Sequence, residues 1–296
     1  MAILYRRLEF NMKDSVLQFM INHGLSRGCM VRIDDIIKTV LIKRPYPKEI
    51  AKLIGQAISL AVCFAASLKT KGLFSLRIDG EGAVKLLCAE INEKGDVRAY
   101  ADYDKNALYP DCSIQTMFKS GTMSFVFDMV ETRERYQGMV ELNKATLAEC
   151  AENYFRVSEQ IETVIKIASA DNGKAAALFL QKMPSFGGSS LSTRDNDDID
   201  DIWRGSVLLL GTVSDEELLD ERIAKQDLIY RLYNASEPML LGEREIRFGC
   251  RCSREKALSA CRSIPVEERA NLPEVRITCE FCGQEYVVTR DELLAI

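Results

Sequence analysis

At 296 residues, with 47% hydrophobic and 28% charged residues, the chain has the balance of a globular protein with a real core and the length of two domains. Its formal net charge of -5 excludes the concentrated basic surface that a nucleic-acid partner demands, and a single histidine, His23, removes most acid-base and nucleophilic schemes built on imidazole. No long apolar stretch follows the charges of the N-terminus, so no secretory leader is expected, and the ten cysteines then point to a reducing compartment with thiols and metal sites in place of permanent disulfides.

In chain order, the pattern predicts a helix over Asp14 to Asn22, with Val16, Leu17, Met20 and Ile21 on one side, and a second from Lys48 to Lys69. The most apolar run, Leu53 to Leu68, is shorter than the roughly 20 residues a bilayer needs and contains Gln56 and Ser59, so it reads as a buried helix and no membrane partner is expected. Strands follow at Leu73 to Asp79, Ala83 to Asn92 and Val97 to Tyr103, turning at Gly80-Glu-Gly82 and Asn92-Glu-Lys-Gly95. Gly80-Glu-Gly82 lacks the third glycine and following helix of a dinucleotide loop. Thr122 to Val130 and Tyr136 to Leu142 continue the sheet, a helix opens at Thr146 with Glu149 completing a capping box, and a last hairpin, Thr163 to Ala170 and Ala175 to Gln181, turns at Asp171-Asn-Gly173. Helices mixed with an antiparallel sheet make the class α+β. His23 reads as a helix-end or surface residue. Cys29, Cys63, Cys88, Cys112 and Cys150 read as small buried hydrophobes.

Composition divides the chain into three. An N-terminal mixed sheet domain covers 1–183. A linker and helical region covers 184–240, opening with Pro184-Ser-Phe-Gly-Gly-Ser-Ser-Leu-Ser-Thr193 and the acidic run Asp195 to Asp201, both read as flexible and solvated. Beyond them an amphipathic stretch has Ser214 and Glu217 as a capping box and Leu218, Leu219, Ile223, Leu228, Ile229 and Leu232 as its apolar side. A plain surface helix accounts for this stretch as well as a releasable one does.

The third part, 241–296, carries the strongest chemical signal. Cys250-Arg-Cys252 and Cys279-Glu-Phe-Cys282 are separated by 26 residues, and each pair presents two thiolates to one ion, so Cys250, Cys252, Cys279 and Cys282 form a four-cysteine zinc site. Gly283 permits the turn in which backbone N-H groups face the sulfurs, and strand-like residues flank it at Val275 to Thr278 and Glu285 to Val288. A tail under 50 residues depends on such a metal for its fold, since its helices, capped by Ser253 and by Thr289 with Glu292, are too short to persist alone. Spacing alone leaves open a permanent structural clip, a zinc-ribbon interaction module and a removable redox support. A hydrolase is disfavoured because four cysteines leave no open coordination position. A thiol-disulfide oxidoreductase would need its C-x-x-C to open a helix in a βαβ setting, which is not the context here.

Cys250-Arg-Cys-Ser-Arg-Glu-Lys256, Ile264-Pro-Val-Glu-Glu268 and Cys279-Glu-Phe-Cys-Gly283 together resemble the Hsp33 family of redox-regulated chaperones. The likeness extends to Glu134-Arg-Tyr-Gln-Gly138, to Thr146 through Phe155, to Ser158-Glu-Gln160 and to Arg231-Leu-Tyr233. The resemblance implies a cytoplasmic, ATP-independent holdase rather than an enzyme. It would be inactive while reduced with one Zn2+ per chain, and activated when disulfides form, the linker unfolds and the chain becomes a homodimer that binds unfolded client proteins. Carried over residue by residue, Cys250 would pair with Cys252 and Cys279 with Cys282, the first bridge closing a small strained ring that is easier to reduce. Cys261 departs from the simplest family pattern as a possible competing thiol and is assigned no role.

Overall fold

The structure, a computed structural model, describes residues 13–68, 70–109, 113–184 and 196–296. Its first apolar run does not coil. Ser15–Ile21 is a strand, β1, and not the expected helix. Val16 faces one core while Leu17, Phe19 and Ile21 face another, and a strand covered on both faces has the same continuous apolar signature as a buried helix. After β2 (Ser26–Ile33) and α1 (Asp35–Lys43) comes α2 (Lys48–Ser67), the expected buried helix. By length and composition α2 could cross a membrane, with a mean hydropathy of 1.7, but 72% of that stretch is buried within the protein. The three strands β3 (Gly72–Gly80), β4 (Val84–Ile91) and β5 (Asp96–Tyr103) form the expected meander.

The short helix α3 (Ile114–Phe118) was not anticipated. Its backbone approaches the first turn so closely that a Cβ on Gly82 would lie 2.2 Å from the Met117 carbonyl, which explains a glycine there. β6 (Gly121–Met129) and β7 (Arg135–Glu141) extend the sheet, and α4 (Leu147–Tyr154) opens at Thr146, whose hydroxyl accepts from the Glu149 N-H at 3.1 Å. The Glu149 carboxylate reaches past the expected N-cap amide to that of Ala145, at 2.9 Å. The hairpin β8 (Thr163–Ser169) to β9 (Ala175–Lys182) turns where expected, with Gly173 at φ +82.

The motif from Glu134 to Gly138 serves this packing. Tyr154 donates to Glu159 at 2.6 Å, Tyr136 bonds the same carboxylate, and a Cβ on Gly138 would sit 2.2 Å from the Tyr154 hydroxyl. Gly138→Ala is expected to cost about 1 to 3 kcal/mol through overpacking, read as a lowered denaturation midpoint; an unchanged midpoint would contradict the packing argument.

Residues 185–195, which hold the Gly/Ser segment and Asp195, lie outside the described residues, as does Cys112. The rest of the acidic run is not loose linker. It begins helix α5 (Asn196–Gly211), with Asp197 and Asp198 in the first turn, where the helix dipole favours negative charge, and with Asp200 paired to Lys182 at 2.5 Å. α6 (Asp215–Leu219) has the expected capping box from Ser214 and Glu217, and α7 (Lys225–Tyr233) follows. The amphipathic stretch is packed. Leu218, Leu228 and Ile229 are buried with Trp203, Leu210, Val213 and Tyr233 against Leu17, Phe19, Ile21, Met30, Leu178 and Leu180, and Leu219, Ile223 and Leu232 flank them.

Two buried cations pin these helices. Arg32 of β2 donates to the Leu218 carbonyl at 2.9 Å, one that the short α6 leaves over, and to that of Ile223 in the turn before α7. Lys225 of α7 pairs at 2.9 Å with Glu243, in β10 (Met239–Glu245). β10 straddles the expected boundary between 240 and 241 and pairs with β1, so it belongs to the N-terminal sheet. One residue later β11 (Arg247–Phe248) pairs in parallel with β5.

Among the described residues the large sheets have the orders β10-β1-β2-β9-β8 and β11-β5-β4-β3-β6-β7. α2 lies between them, and its Phe64 stacks on Phe125 of β6 and Phe155 at centroid distances of 4.6 and 4.5 Å. The tail adds α8 (Arg254–Cys261), α9 (Val266–Arg269), the hairpin β12 (Glu274–Thr278) to β13 (Glu285–Thr289), and α10 (Arg290–Ala295). Ser253 caps α8, and Glu292 accepts from the Thr289 N-H at 2.9 Å to cap α10, both as expected. The class is α+β, as the pattern predicts.

Candidate metal and redox site

The tail's own apolar core is small, with Cys261, Val288 and Leu293 buried and Leu258, Ile264, Leu272, Val275 and Ile277 half-covered around them. Such a core does not hold a chain of this length by itself. The four cysteines lie at its edge. Cys250 and Cys252 follow β11, while Cys279 and Cys282 occupy the turn between β12 and β13, closed by hydrogen bonds from Gly283 N-H to the Cys279 carbonyl at 2.8 Å and from Cys279 N-H to the Gln284 carbonyl at 2.9 Å. Gly283 takes φ +69, the left-handed conformation that the turn requires.

All four sulfurs lie within 4.8 Å of one another. The contacts recorded join the two knuckles, Cys250 to Cys279 at 3.6 Å and Cys252 to Cys282 at 3.5 Å. Zinc-sulfur bonds of about 2.3 Å in a tetrahedron put the sulfurs about 3.8 Å apart, so the donor set fits one zinc ion in number, type and spacing. Backbone N-H groups face the sulfurs as well: Cys252 towards Cys250, Phe281 and Cys282 towards Cys279, and Gln284 towards Cys282. Tyr286 adds a hydroxyl donor to Cys252 at 3.2 Å.

These environments separate the thiols. Burial pushes Cys250 up, but the Cys252 amide and the neighbouring thiols outweigh it and bring the group down to about 7. Burial raises Cys279, and burial with the neighbouring sulfurs takes Cys282 up to about 12. Zinc binding near neutrality therefore displaces protons from at least Cys279 and Cys282. The affinity is expected to fall by at least about 100-fold per unit as pH drops from about 8 to about 6, in competition with a chromogenic chelator, because at least two protons must leave for each ion bound, and more steeply below about 7, where Cys250 is protonated as well. A pH-independent affinity would show that these thiols are already ionised.

The site is docked on the outer face of the six-stranded sheet. Val97, Ala99 and Ala101 of β5 point into the core, leaving Arg98 and Tyr100 outward. Phe281, inside the second knuckle, lies with its ring centroid 3.8 Å from the Arg98 guanidinium and 4.7 Å from the Tyr100 ring at 75°. Glu90 of β4 accepts from Arg98 at 2.6 Å and also from Arg251, the residue between Cys250 and Cys252. Gly249 N-H donates to the Val97 carbonyl at 2.9 Å, and Glu280 pairs with Arg44 beyond α1. Both knuckles thus touch the sheet through the residues their cysteines flank.

Sequence reasoning placed the four cysteines correctly next to one another. It missed Arg98, Glu90, Tyr100 and Tyr286. The available signal was the pair of large side chains, Arg251 and Phe281, set between cysteines whose backbone is already fixed. Cys29, Cys63, Cys88 and Cys150 are buried, as expected, and Cys261 is buried within the tail core. His23 is exposed in a turn after β1, at φ 56, where it faces Glu237 at 3.8 Å.

A family model described as Hsp33 protein matches residues 14–289. The 33 kDa chaperonin of Pseudomonas fluorescens (strain SBW25) is 32% identical over 279 residues, covering 93% of this chain and 90% of that protein. The 33 kDa chaperonin of Ectopseudomonas mendocina is 32% identical over 280 residues, covering 93% and 92%. Among solved structures, the 33 kDa chaperonin from Thermotoga maritima superposes with a TM-score of 0.76 over 95% of this chain and 96% of that one, at 19% identity, a likeness of fold.

Proposed function

The chain belongs to the Hsp33 family of chaperones, and we propose that it is an ATP-independent holdase switched on by oxidation of Cys250, Cys252, Cys279 and Cys282. The observation that carries the proposal is the docking of a four-thiol cluster, through Phe281 and Arg251, onto the face formed by Arg98, Tyr100 and Glu90. A zinc ion held by these cysteines would supply the folding free energy that the small tail core lacks.

A peroxide oxidises one thiolate to a sulfenic acid and is itself reduced to water. A second thiol then displaces water from that sulfenic acid to form a disulfide, so each bridge consumes two thiols and one peroxide and releases two waters. Both pairings begin within reach, since all four sulfurs are close. The recorded sulfur contacts, Cys250 to Cys279 and Cys252 to Cys282, run between the knuckles. Membership of the family is what assigns the bridges as Cys250 with Cys252 and Cys279 with Cys282, which form once the tail loosens.

Bridged sulfurs no longer provide four thiolates, and the tail loses its fold. Phe281 withdraws from Arg98 and Tyr100, Arg251 withdraws from Glu90, and the strand pair that follows α7 is no longer anchored at its far end. Helices α5 to α7 then release the apolar side of β1, β2 and β9, including Leu17, Phe19, Ile21, Met30, Leu178 and Leu180. An apolar surface of that kind takes unfolded clients without sequence preference. Dimerisation of the activated form and residence in the cytoplasm, away from nucleic acid and membrane, complete the proposal.

The test follows zinc release and light scattering of a thermally unfolding client on one sample, before and after peroxide at elevated temperature. Release of about one zinc per chain, with aggregation suppressed only afterwards and the effect reversed by a thiol reductant, is the expected result. Zinc retained through oxidation, or lost without gain of client binding, would make the tail a permanent interaction module.

A further inference from the structure

β1 is an interior strand only because β10 covers its edge. The pairing runs Ser15 to Glu245 through Met20 to Met239, broken by an irregularity between Gln18 and Phe19. Gly242 takes φ +148 beside that break, so the ladder is short and interrupted. Two attachments hold it. Lys225 and Ser15 both bond Glu243, at 2.9 and 2.5 Å, in a site where the Lys225 and Glu243 side chains are 7% and 1% exposed. At the other end, β11 begins one residue after β10, and Cys250 lies two residues beyond Phe248.

One attachment belongs to α7 and the other leads to the thiol cluster. Both are segments that the proposed switch displaces. What they leave is a strand of sequence Ser-Val-Leu-Gln-Phe-Met-Ile with its main-chain N-H and C=O groups unpaired along one side, a template for strand addition. We propose that the β1 edge is a client-docking site, occupied by β10 in the reduced protein and, after oxidation, by an extended apolar segment of an unfolded protein that adds to the sheet as a strand.

The proposal rests on the switch reading above and names the surface and the binding mode it uses. Main-chain hydrogen bonds give such a site affinity without sequence preference, which suits a chaperone. Side chains give it a bias. Leu240, opposite Phe19, packs against the cluster that contains Phe19 and Leu17, so an apolar residue is favoured in that register. Arg32, paired across the sheet with Ser15, remains on β2 when α6 and its carbonyls depart, and it lies within electrostatic range of the position Glu243 holds. A carboxylate three residues beyond the apolar side chain is favoured in turn.

Hydrogen exchange of the full chain, resolved on the segment 15–21, tests this in three states: reduced with zinc, oxidised, and oxidised with chemically unfolded citrate synthase. A synthetic peptide of residues 238–246, and the same peptide N-methylated at alternate residues on its bonding edge, serve as competitors. The β1 amides are expected to exchange slowly when reduced, at least about tenfold faster after oxidation, and slowly again with client bound, and only the unmethylated peptide should compete with the client. Aggregation suppression with β1 still protected after oxidation overturns the proposal and leaves the switch reading standing. So does fast exchange of β1 in the client complex, or equal competition by both peptides. If oxidation gives no aggregation suppression at all, the switch reading falls and this inference with it.

Discussion

Cys282→Ser is expected to unfold the whole segment from Gly249 to Ile296 in reduced protein while leaving residues 13–184 folded. Its effect should be the largest of any single change in the tail. Serine removes one of four sulfur donors, and a four-thiolate zinc site contributes on the order of 10 to 16 kcal/mol of folding free energy, far more than three buried residues, Cys261, Val288 and Leu293, can return. Peptide-resolved hydrogen exchange with zinc titration checks it. Tail amides should exchange at the rate of an unfolded chain, and client binding should appear without oxidant. A tail that keeps its protection would mean that the fold does not depend on the metal.

Glu90→Ala is expected to do something different, separating the docking of the tail from its folding. Glu90 accepts from both Arg98 and Arg251, and the three side chains are between 14% and 24% exposed, so its removal leaves two half-buried guanidinium groups facing one another. Breaking a buried pair by deleting one partner costs about 3 to 5 kcal/mol, and here the loss is shared between the cross-strand contact to Arg98 and the tail contact to Arg251, without touching the tail's own core. The zinc content should equal that of the unsubstituted protein, because no cysteine or flanking amide is changed. Proteolysis between 234 and 250 should accelerate in reduced protein, and the peroxide needed for activation should drop. Glu90→Gln, which keeps one acceptor, should lie between. Unchanged proteolysis alongside unchanged zinc would place the restraint elsewhere, in the Phe281 contact.

The parts of the molecule that were legible in the sequence are those fixed locally. The meander from β3 to β5, the hairpin at Gly173, the capping boxes at Ser214 and Thr289 and the knuckle at Gly283 each depend on residues a few positions apart. Two errors have a common cause. Ser15–Ile21 looks helical because Val16, Leu17, Met20 and Ile21 fall at helical spacing, yet it is a strand because α2 covers one of its faces and α5 to α7 cover the other. Asp197 to Asp201 look solvated because they repel one another, yet they begin a helix whose Trp203 and Leu210 reach a distant sheet. Both outcomes are decided by partners far away in the chain, which periodicity does not contain. The candidate site divides in the same way. Its sulfurs were visible from spacing, whereas Arg98 and Glu90 come from alternate positions on strands whose outward face reads as ordinary polar surface.

Between β10 and β11 stands a single residue, Ile246, itself buried in the main core with its N-H bonded to the Asp14 carbonyl at 3.0 Å. The two large sheets therefore share one uninterrupted length of chain with no slack in it. Most loops accept insertions because lengthening them costs little. This joint does not share that tolerance, since each added residue would let one sheet keep its border strand while the other lost it. Insertion of a few glycines at Ile246 would turn one coordinated event into two independent ones, so across relatives the length of this joint should vary less than its side chains do.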